Sequence, residues 1–75
     1  MKFSEGLQEL RTGAGLSRQT LADMLEVSND SVRRWEKGER EPRASHLRRL
    51  SEVFGRSAIA DLLSLSPEGG VANGE

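Results

Sequence analysis

Apolar residues recur along this chain at the three- and four-residue spacing of an amphipathic helix, and each such stretch is bounded by residues that start or stop helices. Phe3, Leu7 and Leu10 share a face, which predicts a first helix over residues 4–12 with Ser4 as its N-cap and with Gly13 and Gly15 ending it. Ser17 caps a second helix of about eight residues whose buried stripe is Leu21, Ala22 and Leu25. After Glu26-Val27, Ser28 caps a third, in which Val32 and Trp35 continue the stripe until Gly38. The run GEREPR is a polar connection, and Pro42 has no N–H with which to continue a helix. A fourth helix is predicted from Ala44 to Phe54, with Leu47, Leu50, Val53 and Phe54 on one face and Gly55 at its end. Ser57 then caps a last short helix whose Ile59, Leu62 and Leu63 face inward. The expected fold is all-α.

The pattern fades after Leu65. PEGGVANGE contains three glycines, a proline and a single valine, too little apolar surface to offset the entropy of ordering it. Residues 1–65 therefore read as one helical domain and residues 66–75 as a disordered tail. At 75 residues a domain buries only about 60% of the surface its unfolded chain exposes, so its stability is expected to be marginal. There is no cysteine, hence no disulfide and no Cys-based zinc site, and helix packing must supply the core. No apolar run approaches the roughly 18 residues of a membrane span, and MKFSEGLQEL lacks the apolar stretch of a signal peptide. A cytoplasmic location is the expectation, with no membrane partner.

Net charge, at −1, argues against a nucleic-acid partner until its distribution is considered. Met1 to Arg56 carries eleven bases and nine acids, a balance of +2, whereas Ser57 to Glu75 carries three acids and no base. Between Arg33 and Arg49 seven bases (Arg33, Arg34, Lys37, Arg40, Arg43, Arg48, Arg49) face three acids (Glu36, Glu39, Glu41). That local excess of +4 is a modest basic footprint. On the third helix, Asn29, Asp30, Arg33, Arg34 and Lys37 fall inside an arc of roughly 140°, with Val32 and Trp35 opposite. Its side puts Trp35 in the core rather than under a stacked base. The only histidine, His46, is expected on an exposed part of helix four with no metal or catalytic role.

The run from Leu7 to Leu63 resembles the Cro and phage-repressor type of helix-turn-helix domain. The matching positions are Leu7 and Arg11, Gly15-Leu16-Ser17, Leu21-Ala22, Val27-Ser28, Val32, Trp35-Glu36, Gly38, Pro42, Leu47 and Leu50, spread over about 57 residues. The resemblance implies a compact five-helix, lambda-repressor-like fold whose second helix crosses the DNA backbone and whose third enters the major groove by its N-terminal end. It implies base-edge contacts for Asn29, Asp30 and Arg34. The chemistry is compatible: Asn bridges adenine N6 and N7, Arg bridges guanine O6 and N7, and a carboxylate accepts from cytosine N4. Asp30 has a second reading, as an acid stabilised at a helix N-terminus. Arg18, Ser28, Arg33, Lys37, Arg40 and Arg43 are expected at phosphates, which position the domain without specifying sequence. In similar domains the positions of Arg11 and Glu36 form a partly buried ion pair. Where the family usually has glycine in the turn, this chain has Glu26.

The function so implied is a bacterial or phage-type transcriptional regulator, a repressor by expectation, occupying a double-stranded DNA operator without cofactor or catalysis. The alternative is a protein-binding module on the same fold, such as an antitoxin or an adaptor. On DNA the protein is expected to be a homodimer joined through helix five and the end of helix four, where Leu62, Leu63 and Leu65 crowd one segment.

Overall fold

The computed structural model describes residues 2–65, which form five α-helices and no strand: α1 Phe3–Gly13, α2 Arg18–Leu25, α3 Asn29–Lys37, α4 Ala44–Phe54 and α5 Arg56–Leu65. The all-α expectation holds. The expected tail, residues 66–75, lies outside the described residues, as does the side chain of Leu65.

Two helix starts differ from expectation. Ser4 lies inside α1, and Lys2 occupies the N-cap position in extended backbone. There Glu5 reaches back, its Oε1 accepting from the Lys2 N–H at 3.2 Å, so a carboxylate at the third helical position satisfies an orphan donor and the helix begins earlier. Ser57 likewise caps nothing, because α5 already starts at Arg56. Gly55 alone separates α4 from α5: its N–H donates to the Ser51 carbonyl at 2.8 Å and its own carbonyl accepts from the Ile59 N–H at 3.3 Å. Its φ of 99° and ψ of 146° belong to a region that only glycine occupies without strain. One residue thus ends a helix and begins the next.

Every helix contributes to a single core of Leu7, Leu21, Ala22, Leu25, Val32, Trp35, Leu50, Ile59 and Leu62, with Phe3, Leu10, Leu16, Val27, Leu47, Val53, Phe54 and Leu63 packed around it. α3 rests on α1 and α2, α5 on α4 and α1, and α2 on α4. Trp35 is 4% exposed, as its helical face predicts. His46 departs from expectation: it is half-buried, and its ring lies 5.3 Å from that of Trp35 at a 43° tilt. Its Nδ1 is buried without a hydrogen-bond partner. The apolar Trp35 face draws the imidazole in, and periodicity within α4 cannot register that neighbour. No helix among the described residues is long and apolar enough to cross a membrane.

Candidate nucleic-acid interface

The α2–α3 pair is held at both helix starts by a serine. Ser17 Oγ accepts from the Thr20 N–H at 3.0 Å, and Ser28 Oγ accepts from the Ser31 N–H at 3.1 Å. Each satisfies one of the four amides that a helix N-terminus leaves unpaired, a contribution of about 1 kcal/mol. Between the helices Glu26 adopts a left-handed conformation, φ 60° and ψ 42°, and is the one non-glycine residue with positive φ among those described. For a non-glycine residue this costs about 1 kcal/mol. The turn closes through the Glu26 and Val27 amides, which donate to the Asp23 and Ala22 carbonyls. Arg49 of α4 lies 3.4 Å from the Glu26 carboxylate, an exposed pair that offsets little of the strain.

This turn leaves the start and outer face of α3 open to solvent. Asn29, Asp30, Arg34 and Lys37 are exposed and Arg33 is half-buried, whereas Val32, Trp35 and Glu36 are buried on the other side. The side chains of the arc are already engaged. Asn29 Nδ2 donates to Gln19 Oε1 at 3.2 Å, and Gln19 Nε2 donates to Asp23 Oδ1 at 2.8 Å. This chain of amides runs from α2 to α3 and gives the Asn29 amide a fixed sense. Asp30 holds two arginines at once: Arg33 Nε and Nη2 donate to Oδ1 at 2.9 and 2.5 Å, and Arg34 Nε donates to Oδ2 at 2.7 Å. The hydrogen bonds from Arg33 are the largest influence on the Asp30 carboxyl, and together with the bond from Arg34 and the charges of both arginines they outweigh an opposing desolvation and keep it below the usual carboxylate range. Arg33 is correspondingly pushed up by the same hydrogen bond and by the carboxylate's charge.

Behind the arc lies a charged cluster. The Glu36 side chain is fully buried, and Arg11 Nε and Nη2 grip it at 2.5 and 3.2 Å while Arg11 Nη1 donates to the Leu16 carbonyl at 2.8 Å. The Arg11–Glu36 pair that the resemblance implies is therefore present, linking α1 to α3. A third member was not anticipated. Arg18 Nε donates to Glu36 Oε1 at 3.1 Å, its side chain 34% exposed. Arg18 was expected at a phosphate; in the free protein one edge of its guanidinium is committed to the buried carboxylate, whose two oxygens accept more bonds than Arg11 supplies.

The sequence-predicted positions thus divide. Asn29, Asp30, Arg33, Arg34 and Lys37 come together on one face of α3, with Ser28 capping that helix at its start. Arg40 and Arg43 are exposed in the connection that follows, and neither forms a salt bridge with a described residue. Gln19 and Asp23 were missed as supports of Asn29. Their i,i+4 spacing on a helix was the available signal, because Gln and Asp at that separation bond to each other.

An open-faced α3, set behind a short turn against α2 inside a five-helix core, defines a class of protein. The chain belongs to the helix-turn-helix family of the Cro and phage-repressor type, whose model matches residues 7–62. It is 41% identical over 64 residues to the HTH-type transcriptional activator BcrR of Enterococcus faecalis, a match covering 85% of this chain and 31% of the relative. Over 55 residues it is 36% identical to YonR, an SPbeta prophage-derived uncharacterized HTH-type transcriptional regulator of Bacillus subtilis (strain 168), covering 73% of this chain and 51% of that one. The chain thus spans about a third and about half of the length of these relatives. No solved structure matches it significantly.

Proposed function

We propose that this protein is a sequence-specific DNA-binding transcriptional regulator that inserts the N-terminal half of α3 into the major groove. The observation that carries the reading is the solvent-facing arc of Asn29, Asp30, Arg33, Arg34 and Lys37, opposite the buried Val32 and Trp35. The family and the regulator names of its relatives support it. In this reading Asn29, Asp30 and Arg34 meet base edges, and the fixed sense of the Asn29 amide suits a bidentate contact: one N–H is held by Gln19, leaving the other N–H and the carbonyl oxygen for adenine N7 and N6. Arg18, Ser28, Arg33, Lys37, Arg40 and Arg43 line the phosphates on either side of the groove.

The protein acts as a homodimer on an inverted-repeat operator, two recognition helices about 34 Å apart serving two half-sites. Whether occupancy represses or activates follows from where the operator sits relative to the promoter. The reading contains no catalytic step and needs no cofactor.

Competition titrations across a salt series test it. With about four to six phosphates contacted per protomer, log K should fall against log salt at about −0.9 per contact, and a selected site should outcompete random duplex at every salt concentration. A protein that never prefers any duplex to a random one is not a sequence-specific regulator.

A further inference from the structure

Asp30 sits in the middle of the arc proposed to face DNA, yet a carboxylate there repels every phosphate that approaches. Its bonds show what it does in the free protein. Of its roughly four lone-pair sites, three accept N–H groups, two from Arg33 and one from Arg34. All three residues are on the surface, with side chains 34 to 51% exposed, so solvent does not force the pairing; helical spacing at i+3 and i+4 brings both arginines back over the acid. The trio carries a net charge of +1 instead of +2. Because non-specific affinity is set by the number of phosphates neutralised, the carboxylate withholds about one arginine from that task.

We propose that Asp30 is a specificity-determining residue that acts by competition, holding Arg33 and Arg34 against indiscriminate phosphate binding and releasing them only where the bases compensate. The inference rests on the proposed DNA-binding reading and adds to it the reason an acid lies on a DNA-facing arc. A phosphate offers the carboxylate nothing in exchange for an arginine. A matched sequence offers more: guanine accepts from Arg34, and a cytosine amino group fills the fourth lone-pair site of Asp30. The same residue therefore weakens binding to random DNA and leaves binding to the correct site nearly unchanged.

The test is Asp30→Asn, with Asp30→Glu as the variant that keeps a carboxylate within reach of both arginines. Anisotropy titrations of a labelled random-sequence duplex are run over a decade of salt, with circular dichroism confirming that each variant is folded. Freeing one phosphate contact steepens the salt slope by about 0.9, so Asp30→Asn and wild type should converge near 1 M salt and differ about eightfold near 0.1 M, the variant binding more tightly. Asp30→Glu should track wild type. In an Arg33→Ala/Arg34→Ala background the Asp30→Asn gain should shrink well below eightfold, to what direct repulsion between the carboxylate and the phosphates accounts for, since no arginine remains to be released. On the selected site Asp30→Asn should gain less than on random duplex, so that the ratio of specific to random affinity falls. An unchanged slope for Asp30→Asn, or an eightfold gain that persists without the two arginines, would overturn the proposal. Failure of the regulator reading looks different: wild type would show no preferred sequence, while the slope change on random duplex would still report on the clamp.

Discussion

Asp30 shows how little of a residue's role its position alone declares. An acid in the first turn of α3 is favoured by the helix macrodipole whatever else it does, and its polar arc suggested base contact; its i+3 and i+4 spacing to Arg33 and Arg34 makes a pairing with either one legible, but that one carboxylate takes both at once depends on rotamers. The grip has a pH signature. Because the carboxyl titrates below the ordinary range when folded, its contribution to α3 is complete above the unfolded value of about 3.9 and is lost as pH falls through the lower folded value. A carboxyl-carbon NMR titration should place the Asp30 midpoint below that of a free aspartate, and Arg33→Ala should move it back up; an unshifted midpoint in the wild type would contradict the clamp. The residues proposed to read bases are separable from those proposed to position the domain. Arg34→Ala and Asn29→Ala should each cost about 1–3 kcal/mol on the best site and relax the preference at one base pair, whereas Arg43→Ala should weaken all sequences alike. Titrations on the selected site and on single-base variants of it distinguish these outcomes.

The helices themselves were legible because each carries its own signal. Leu21, Ala22 and Leu25 in α2 and Val32 and Trp35 in α3 are all buried, and Ser17 and Ser28 cap as their positions imply. Joints between helices were less legible. The single-residue junction at Gly55 rests on a backbone conformation particular to glycine, and the early start of α1 on the Glu5 carboxylate reaching back to the Lys2 N–H, neither of which the spacing of apolar residues registers. The same holds for Arg18, whose turn toward Glu36 follows from three elements meeting at one buried carboxylate. That cluster gives a graded prediction. Truncating Glu36 to alanine strands two guanidinium groups and should cost about 3–5 kcal/mol, as should Arg11→Ala, which leaves the carboxylate buried with only a partly exposed partner. Arg18→Ala should cost about 1 kcal/mol or less, because its one bond is partly solvated. Urea denaturation of the three variants orders them; an Arg18→Ala loss equal to that of Arg11→Ala would show the cluster to be a single unit. In the turn, Glu26→Gly should stabilise the fold by about 1 kcal/mol by removing the left-handed strain, read by the same urea denaturation.

For the molecule as a whole, the question is how a small domain with a modest basic footprint obtains specificity. One recognition helix and a few phosphate contacts seldom give tight specific binding, and two-fold symmetry doubles both. Leu62 is buried and Leu63 half-buried in α5, both packed into the domain's own core, so these two leave little apolar surface for the proposed dimer contact. Assembly is then expected on DNA rather than in free solution. Sedimentation of the protein with a duplex carrying the selected site should give two protomers per site, and one per site would refute the dimer. The central claim, that the α3 arc reads sequence, is tested most directly by selecting bound duplexes from a random pool with wild type and with Arg34→Ala in parallel. The account predicts an enriched inverted repeat for wild type, with half-sites about one helical turn apart, and the same repeat with one symmetric position relaxed for Arg34→Ala. An unenriched wild-type pool, or an identical motif for both proteins, would contradict it.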